Sequence, residues 1–301
     1  MKKLSTGLIV SLVALTSLAQ TNKENNTLLW KISGNGIAKP SYLFGTVHMI
    51  CKDEAFLSNN LITAIEKADR VYLELDMDNL MEMVGAIAKM KMNNDTTLAD
   101  LLTPEEYQLA KKYFEKKVTM LPFSVLETYK PMVASSLLME SGVGCDAQVA
   151  MEQLVMEEAK KNGKRIDGLE TMAYQMSIFD TIPYKVQAKE LLKSISSGDN
   201  ESDGDKEFKE LMKAYKDQDL TKLGEMITKT DGAINQYEDL LLNNRNKNWV
   251  EKLKTLLENK SLVIAVGAGH LPGDKGVINL LRQAGYTVTP VDNTMGKTKE
   301  I

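Results

Sequence analysis

"LFGTVH" (Leu43–His48) and "AVGAGH" (Ala265–His270) are two apolar runs that each end in Gly-x-x-His. The chain has 301 residues and two histidines, and both histidines stand in this frame. The flanking sequence repeats as well. Upstream of the first run, "TLLWKISG" (Thr27–Gly34), the turn-like "NGIAKP" and "SYLFGTVH" read as a hairpin of two strands. "FLSNNLITAIEKADR" then carries apolar residues at helical spacing, with Ser58 or Asn59 as N-cap. "VYLELDM" follows as a short strand. Around the second run, "KSLVIAVGAGH" is a near-continuous apolar strand, of the kind buried on both faces. "LPGDKG" is a loop, "VINLLRQAG" a helix closed by Gly285, and "YTVTPV" a strand.

Each end of the chain therefore reads strand, Gly-x-x-His, helix, strand. Such βαβ units call for parallel pairing with right-handed crossovers. The expected fold class is α/β, with two βαβ-like halves and their Gly-x-x-His motifs forming one central sheet. A large helical insertion separates the halves. "NLMEMVGAIAKMKM", "TPEEYQLAKKYFEKK" and "DAQVAMEQLVMEEAKKNG" are all helical in pattern. Thr103-Pro104-Glu105-Glu106 is a helix start, with proline in the first turn and acids against the dipole. Residues 28–301 read as a single domain, with 78–160 and 185–260 mostly helical insertions. "KRIDGLE" (Lys164–Glu170) is a strand-like interruption, and "SSGDNESDGD" (Ser196–Asp205) a polar linker or loop.

Composition narrows the function classes. Hydrophobic residues make up 43% and charged residues 26%, ordinary for a globular domain with a sizeable core. Residues 1–19 read as a secretory signal: Lys2 and Lys3, a short apolar run from Leu8 to Leu18, and the small-x-small site Ser17-Leu18-Ala19. The alternative for that run is an uncleaved anchor. Cleavage after Ala19 would remove both lysines and move the net charge from −4 to −6. A mildly acidic chain with no basic block is a poor fit to nucleic acid. Export to the periplasm is the expected localisation, with secretion as alternative and no stable membrane insertion after cleavage. Cys51 and Cys145 suit a disulfide in an exported protein. Two buried thiols or metal ligation are the alternatives.

Ligands of open α/β sheets bind at the carboxyl ends of the strands, where both histidines are expected. If the halves pair, both imidazoles point into one crevice, as two nitrogen ligands or two acid/base groups. Glu74 and Asp76 in "YLELD" fall on one face of their strand. A carboxylate buried there needs a cation or hydrogen bonds to compensate. Glu74 is a candidate metal ligand or general base; a solvated edge residue is the other reading. Asp76, nearer the strand exit, reads more as a cap. Glu170 either caps the next helix or reaches the same crevice. Asp146 reads as an N-cap. Arg245 in "NNRNKNW" is a surface arginine by default, or a clamp on a carboxylate or oxyanion.

The blocks "SYLFGTVHMI", "ADRVYLELD", "GLETMAYQ", "LNNRNKNW" and "VGAGHLPGDKGVINLLRQAGYTV" resemble the signature blocks of the TraB/GumN family. That family is related to the Tiki metalloproteases and, more distantly, to erythromycin esterase and ChaN-like proteins. The resemblance implies two related α/β halves that bring their Gly-x-x-His motifs together. It also implies metal-dependent peptide hydrolysis, with manganese or cobalt favoured. Carried over by position, His48 and His270 match the motif histidines and Glu74 the acid after the first crossover. Glu170 and Arg245 match the "GLE" and "RN" blocks.

The reading that results is a metal-dependent hydrolase of the peptidase kind, acting on a peptide or protein substrate. His48, His270 and Glu74 would hold one divalent ion, Mn, Co, Zn or Fe. Glu170 or Asp76 would add a fourth ligand or general base, and Arg245 would stabilise the oxyanion. Two alternatives stand beside it: a metal-free, esterase-like hydrolase using His and Glu, and a non-enzymatic protein that binds peptide, haem or polysaccharide in the same crevice.

Overall fold

The structure, a computed structural model, describes residues 26–116, 121–140, 145–196, 203–229 and 235–295. The expected signal at 1–19 and most of the polar stretch around 196–205 lie outside the described residues. Eight strands are described: β1 (Leu29–Gly34), β2 (Ser41–Thr46), β3 (Ile50–Cys51), β4 (Arg70–Leu75), β5 (Gln148–Val149), β6 (Arg165–Glu170), β7 (Leu262–Gly267) and β8 (Tyr286–Val291). Six form one mixed sheet in the order β6-β4-β7-β2-β1-β8, and β3 pairs with β5 separately. The chain is α/β around this central sheet, with a large helical region beside it.

Burial follows strand position. Leu262 to Val266 of β7, between β4 and β2, are all buried. β8 lies at the edge and alternates, with Tyr286 and Val288 inside and Thr287 and Thr289 outside. Pro290, which has no N–H to give a neighbour, stands on that edge strand. β4, β6, β7 and β2 run parallel to one another. The hairpin strand β1 is antiparallel to both β2 and β8.

The halves interleave. β2 leads through helix α1 (Asn59–Lys67) to β4, yet β7 lies between those two strands. The two Gly-x-x-His strands are thereby direct neighbours. Their register is offset by one: Gly45 pairs with Val266, and Thr46 with Gly267. The two glycines consequently face opposite sides of the sheet, because side chains alternate along a strand.

Ser58 is the N-cap of α1, its hydroxyl accepting from the Leu61 N–H at 3.2 Å. Between β4 and β6 come α2 (Leu80–Met90), α3 (Leu98–Leu101), α4 (Pro104–Lys116), α5 (Phe123–Leu126), α6 (Pro131–Glu140) and α7 (Met151–Lys161). After β6 come α8 (Met172–Thr181), α9 (Tyr184–Ser196), α10 (Asp203–Lys216), α11 (Leu220–Lys229), α12 (Asn244–Leu257) and, after β7, α13 (Val277–Gln283). Thr103 and Glu106 cap α4 reciprocally, Thr103 N–H to Glu106 at 2.9 Å and Glu106 N–H to Thr103 at 3.3 Å. Part of the helical region has its own core, in which Phe114, Phe123 and Leu126 pack with Leu191 and Ile195 of α9. The main core joins the sheet to α1 and α12, where Trp249, Leu253 and Leu257 recur at four-residue spacing.

Asp146 is not an N-cap. The helix expected from Asp146 starts five residues later, and Asp146 is exposed in a bend. The disulfide Cys51–Cys145, Cα atoms 5.9 Å apart, ties this segment to β3. The Lys52 N–H then bonds Ala147 O at 3.0 Å, and Ile50 pairs with Val149. Pairing of β5 with β3 takes the backbone groups that helix would have used.

Candidate active site

Arg245 is the centre of the site. It is the second residue of α12, directly after a π-helical turn at Asp239–Asn243. Such π turns recur at functional sites because they re-aim the residues that follow. All five guanidinium N–H donors have acceptors. Nη2 bonds Glu74 Oε2 and Glu170 Oε1, each at 2.6 Å. Nε bonds Glu170 Oε1 at 3.0 Å. Nη1 bonds the Leu241 carbonyl at 3.0 Å and faces His270 Nε2 at 3.2 Å. The guanidinium also lies over the Trp249 ring, 4.8 Å from its centroid.

Three strand ends deliver the partners. Glu74 is the penultimate residue of β4, and Oε1 accepts from the Gly267 N–H at 2.8 Å. Glu170 closes β6, its side chain 5% exposed, and Oε2 accepts from Trp249 Nε1 at 3.0 Å. The following helix is capped by Thr171 instead, whose hydroxyl accepts from Tyr174 N–H at 3.2 Å, so Glu170 is released for the cluster. His270 ends the turn after β7 and packs on Trp249, ring centroids 4.5 Å apart.

His270 has a defined tautomer. Nδ1 lies 2.6 Å from Asn246 Oδ1, and the amide's Nδ2 donates to the Lys275 carbonyl at 2.9 Å. The amide oxygen can only accept, so the ring proton sits on Nδ1 and Nε2 carries the lone pair. Nε2 is 3.8 Å from Glu74 Oε1.

Electrostatics separate the groups. Burial lowers His270 to a pKa of about 4; Glu74 opposes this, while Arg245 and His48 add to it. The ring is neutral at pH 7. Burial alone would raise Glu74, but His270, protonated in the acid range where this carboxyl titrates, together with Arg245, the Gly267 N–H and His48, overcomes it and holds the carboxyl at about 2. Glu170 moves up, because burial and the Glu74 charge outweigh its bonds from Arg245 and Trp249. One guanidinium serves two buried carboxyl groups, and they are driven apart, Glu74 down and Glu170 up.

The motif glycines serve different purposes. A Cβ on Gly267 would stand 3.2 Å from Glu74 Oε1, where the carboxylate reaches the backbone. A Cβ on Gly45 would stand 2.8 Å from a Leu271 methyl and 3.2 Å from Ala268 Cα, where the turn after β7 crosses β2.

The structure thus joins Glu74, Glu170, Arg245 and His270 in one hydrogen-bonded cluster. His48 stands at the neighbouring strand end with its side chain 76% exposed, and its Nδ1 lies 3.0 Å from Glu152. When protonated, it acts on both Glu74 and His270. Asp76 falls beyond the end of β4, and its carboxylate accepts from Asp78 N–H at 3.1 Å, closing a turn. Asn246, Trp249 and Glu152 were not read as site residues from the sequence. Arg245 and Trp249 are spaced i, i+4 on α12, and that spacing was the available signal. A cavity of 850 Å³ lies next to Asn246 and the 271–276 loop; Glu74, Glu170, Arg245 and His270 are not among its lining residues.

A divalent ion needs several lone pairs aimed at one point. Among the described residues no three His, Cys, Asp or Glu side chains converge in that way. The donor types are those a divalent ion takes, a neutral imidazole nitrogen and an ionised carboxylate 3.8 Å apart, but Arg245 is bonded to both and would have to give way to the ion. No helix among the described residues is long and apolar enough to cross a membrane.

Relatives among known proteins are similar to this chain over most of its length. The chain is 21% identical over 318 residues to Metalloprotease TIKI2 of Danio rerio, covering 89% of this chain and 61% of the relative. It is 23% identical over 338 residues to Metalloprotease TIKI1 of Xenopus tropicalis, covering 93% and 66%. It is 22% identical to Metalloprotease TIKI1 of Homo sapiens, covering 90% and 63%. The chain therefore spans less than two thirds of these relatives' own length. No solved structure gives a significant match. Residues 28–290 match the TraB/PrgY/gumN family, which takes in all six strands of the central sheet but the last residue of β8, and the chain belongs to that family.

Proposed function

We propose that this protein is a hydrolase of peptide bonds acting at the strand ends where Glu74 and His270 meet. The observation that carries the reading is the His270 lone pair, fixed by Asn246 and facing the ionised Glu74 carboxylate at 3.8 Å. The peptide substrate and the dependence on a divalent ion come from the likeness to the TIKI metalloproteases. His270, Glu74 and His48 would hold the ion, which when bound supplies Lewis acidity and a water of lowered pKa. Glu170, whose carboxyl moves up, would serve as fourth ligand or general base. Arg245 holds Glu74 and Glu170 in place; because its five N–H donors are all taken, the expected oxyanion role would require one of them to be released on substrate binding. The reading includes export, from the signal-like residues 1–19, to the periplasm or outside the cell.

The test is cleavage of a peptide library by protein stripped with chelator and then given Mn, Co, Zn or Fe(II) singly. Turnover should return with one of these ions, and His270→Ala, His48→Ala and Glu74→Gln should each lose 100-fold or more, on the order of the effects of catalytic acid–base groups. Full activity in all three variants would place the chemistry elsewhere.

A second reading has its own support. Arg245 already puts a cation against both Glu74 and His270 Nε2, at 2.6 and 3.2 Å. A metal-free hydrolase would use His270 as base on water, with that guanidinium as the only cation. Turnover that ignores chelator yet needs His270 selects it.

A further inference from the structure

The two histidines are held in the same way by residues of different chemistry, and neither holder was singled out by the motif. Asn246, 2% exposed, accepts a hydrogen bond from the His270 Nδ1–H. Glu152, 7% exposed, stands 3.0 Å from His48 Nδ1 through Oε1. The same oxygen accepts from the Thr46 hydroxyl at 2.6 Å. Thr46 is the last residue of β2, two before His48. The backbone closes the arrangement, since the Met151 N–H at the start of α7 donates to the Val47 carbonyl at 3.1 Å. The first turn of α7 is thus fixed to the segment that carries His48.

We infer that Glu152 and Asn246 are paired positioning residues, each accepting a hydrogen bond from the Nδ1–H of one motif histidine so that in both the lone pair is on Nε2. The inference rests on the proposed site being the working one. A carboxylate or amide oxygen in contact with Nδ1 fixes both tautomer and ring orientation, and backing groups of this kind raise the ligand quality of the other nitrogen. Glu152 has a plain structural rival: it is the acid in the first turn of α7, where the helix dipole favours negative charge. That role asks for charge near the helix start and nothing of His48. It does not account for the second oxygen. Glu152 Oε2 is buried and has no hydrogen-bond partner among the described residues. Burying a carboxylate this way is costly, and such atoms persist where function retains them.

The test uses the full chain labelled with ¹⁵N-histidine, which gives two imidazole spin systems because there are two histidines. Long-range ¹H–¹⁵N correlation reads which ring nitrogen carries the proton, and His48→Gln assigns the pair. Both rings should show Nδ1–H, against the Nε2–H form that free imidazole side chains favour in water. Glu152→Leu should switch His48 alone to Nε2–H, and Glu152→Gln, which keeps an acceptor oxygen, should restore Nδ1–H. Asn246→Leu should switch His270 alone. Binding of Mn²⁺ should weaken 10- to 100-fold in Glu152→Leu. An Nε2–H pattern for His48 in the wild type overturns the inference without any variant. So does an unchanged His48 pattern in folded Glu152→Leu. The tautomers are read on resting protein. A wild type with both rings Nδ1–H that neither binds Mn²⁺ nor cleaves peptide counts against the proposed function and leaves this pairing standing.

Discussion

The two Gly-x-x-His strand ends share a motif and differ in almost everything around it. At β7 the glycine clears room for a carboxylate, the histidine is 7% exposed, and its second nitrogen faces an arginine. At β2 the glycine clears room for a crossing turn, and the histidine is 76% exposed. The one-residue offset in register turns the glycines to opposite sides of the sheet, so equal sequence produces unequal sites. One end is a buried electrostatic cluster and the other an exposed side chain on a braced loop. A motif repeated in sequence therefore marks where a site is without saying that its two copies do the same work.

The comparison can be broken most forcefully at Arg245. Arg245→Leu leaves Glu74 and Glu170 buried without their cation and should cost about 3–5 kcal/mol in urea unfolding. Arg245→Lys should recover little, because one ammonium cannot span five acceptor contacts. Loss below about 1 kcal/mol would mean that the carboxylates are solvated and the cluster is looser than described.

The β2 end should respond instead to the disulfide. Cys51 and Cys145 stand 94 positions apart in the chain, and Cys51→Ser with Cys145→Ser should cost about 2–4 kcal/mol. The His48 ring resonances should shift and those of His270 should not. Equal shifts at both rings would show that the two ends are mechanically one unit.

The glycines offer a sharper contrast. Gly45→Ala should lose about 1–3 kcal/mol of stability through overpacking against Leu271 and Ala268. Gly267→Ala pushes on the Glu74 carboxylate, so it should cut activity more than stability. The account fails here if the two alanines have the same balance of effects.

Acid should act on the β7 end. His270 has its pKa lowered from 6.5 to about 4, so the unfolded chain binds that proton first. Its contribution is complete above pH 6.5 and drains away as pH falls to about 4. Glu74, lowered from 4.5 to about 2, extends the loss below pH 4.5. Burial of Glu170 acts in the opposite sense, because a raised carboxyl favours folding in acid. The His270 share is isolated by His270→Gln, which should be roughly 2 kcal/mol less sensitive than wild type between pH 7 and 5. Parallel pH curves for the two proteins would contradict a buried neutral ring.

Much of this was legible in the sequence. The unbroken apolar run of β7 announced a central strand, and the hairpin, α1, β6 and β8 lie where their patterns put them. Glu74, Glu170, Arg245 and His270 carried their own signals, as acids at strand ends, a motif histidine and an arginine in a matching block. Asn246 did not, because "NNRNKNW" offers four asparagines and only packing selects one. Glu152 is one of three glutamates in α7, and only the docking of that helix on Val47 singles it out. Interleaving of the halves was hidden for the same reason: local pattern sets strands, and long-range pairing sets their order.

Anomalous diffraction at the manganese edge, on crystals of the untagged protein soaked in Mn²⁺, tests the central claim most directly. The account predicts one peak within bonding distance of His270 Nε2 and the Glu74 carboxylate, lost in Glu74→Gln. A peak elsewhere, or none in protein that cleaves peptide, would contradict it.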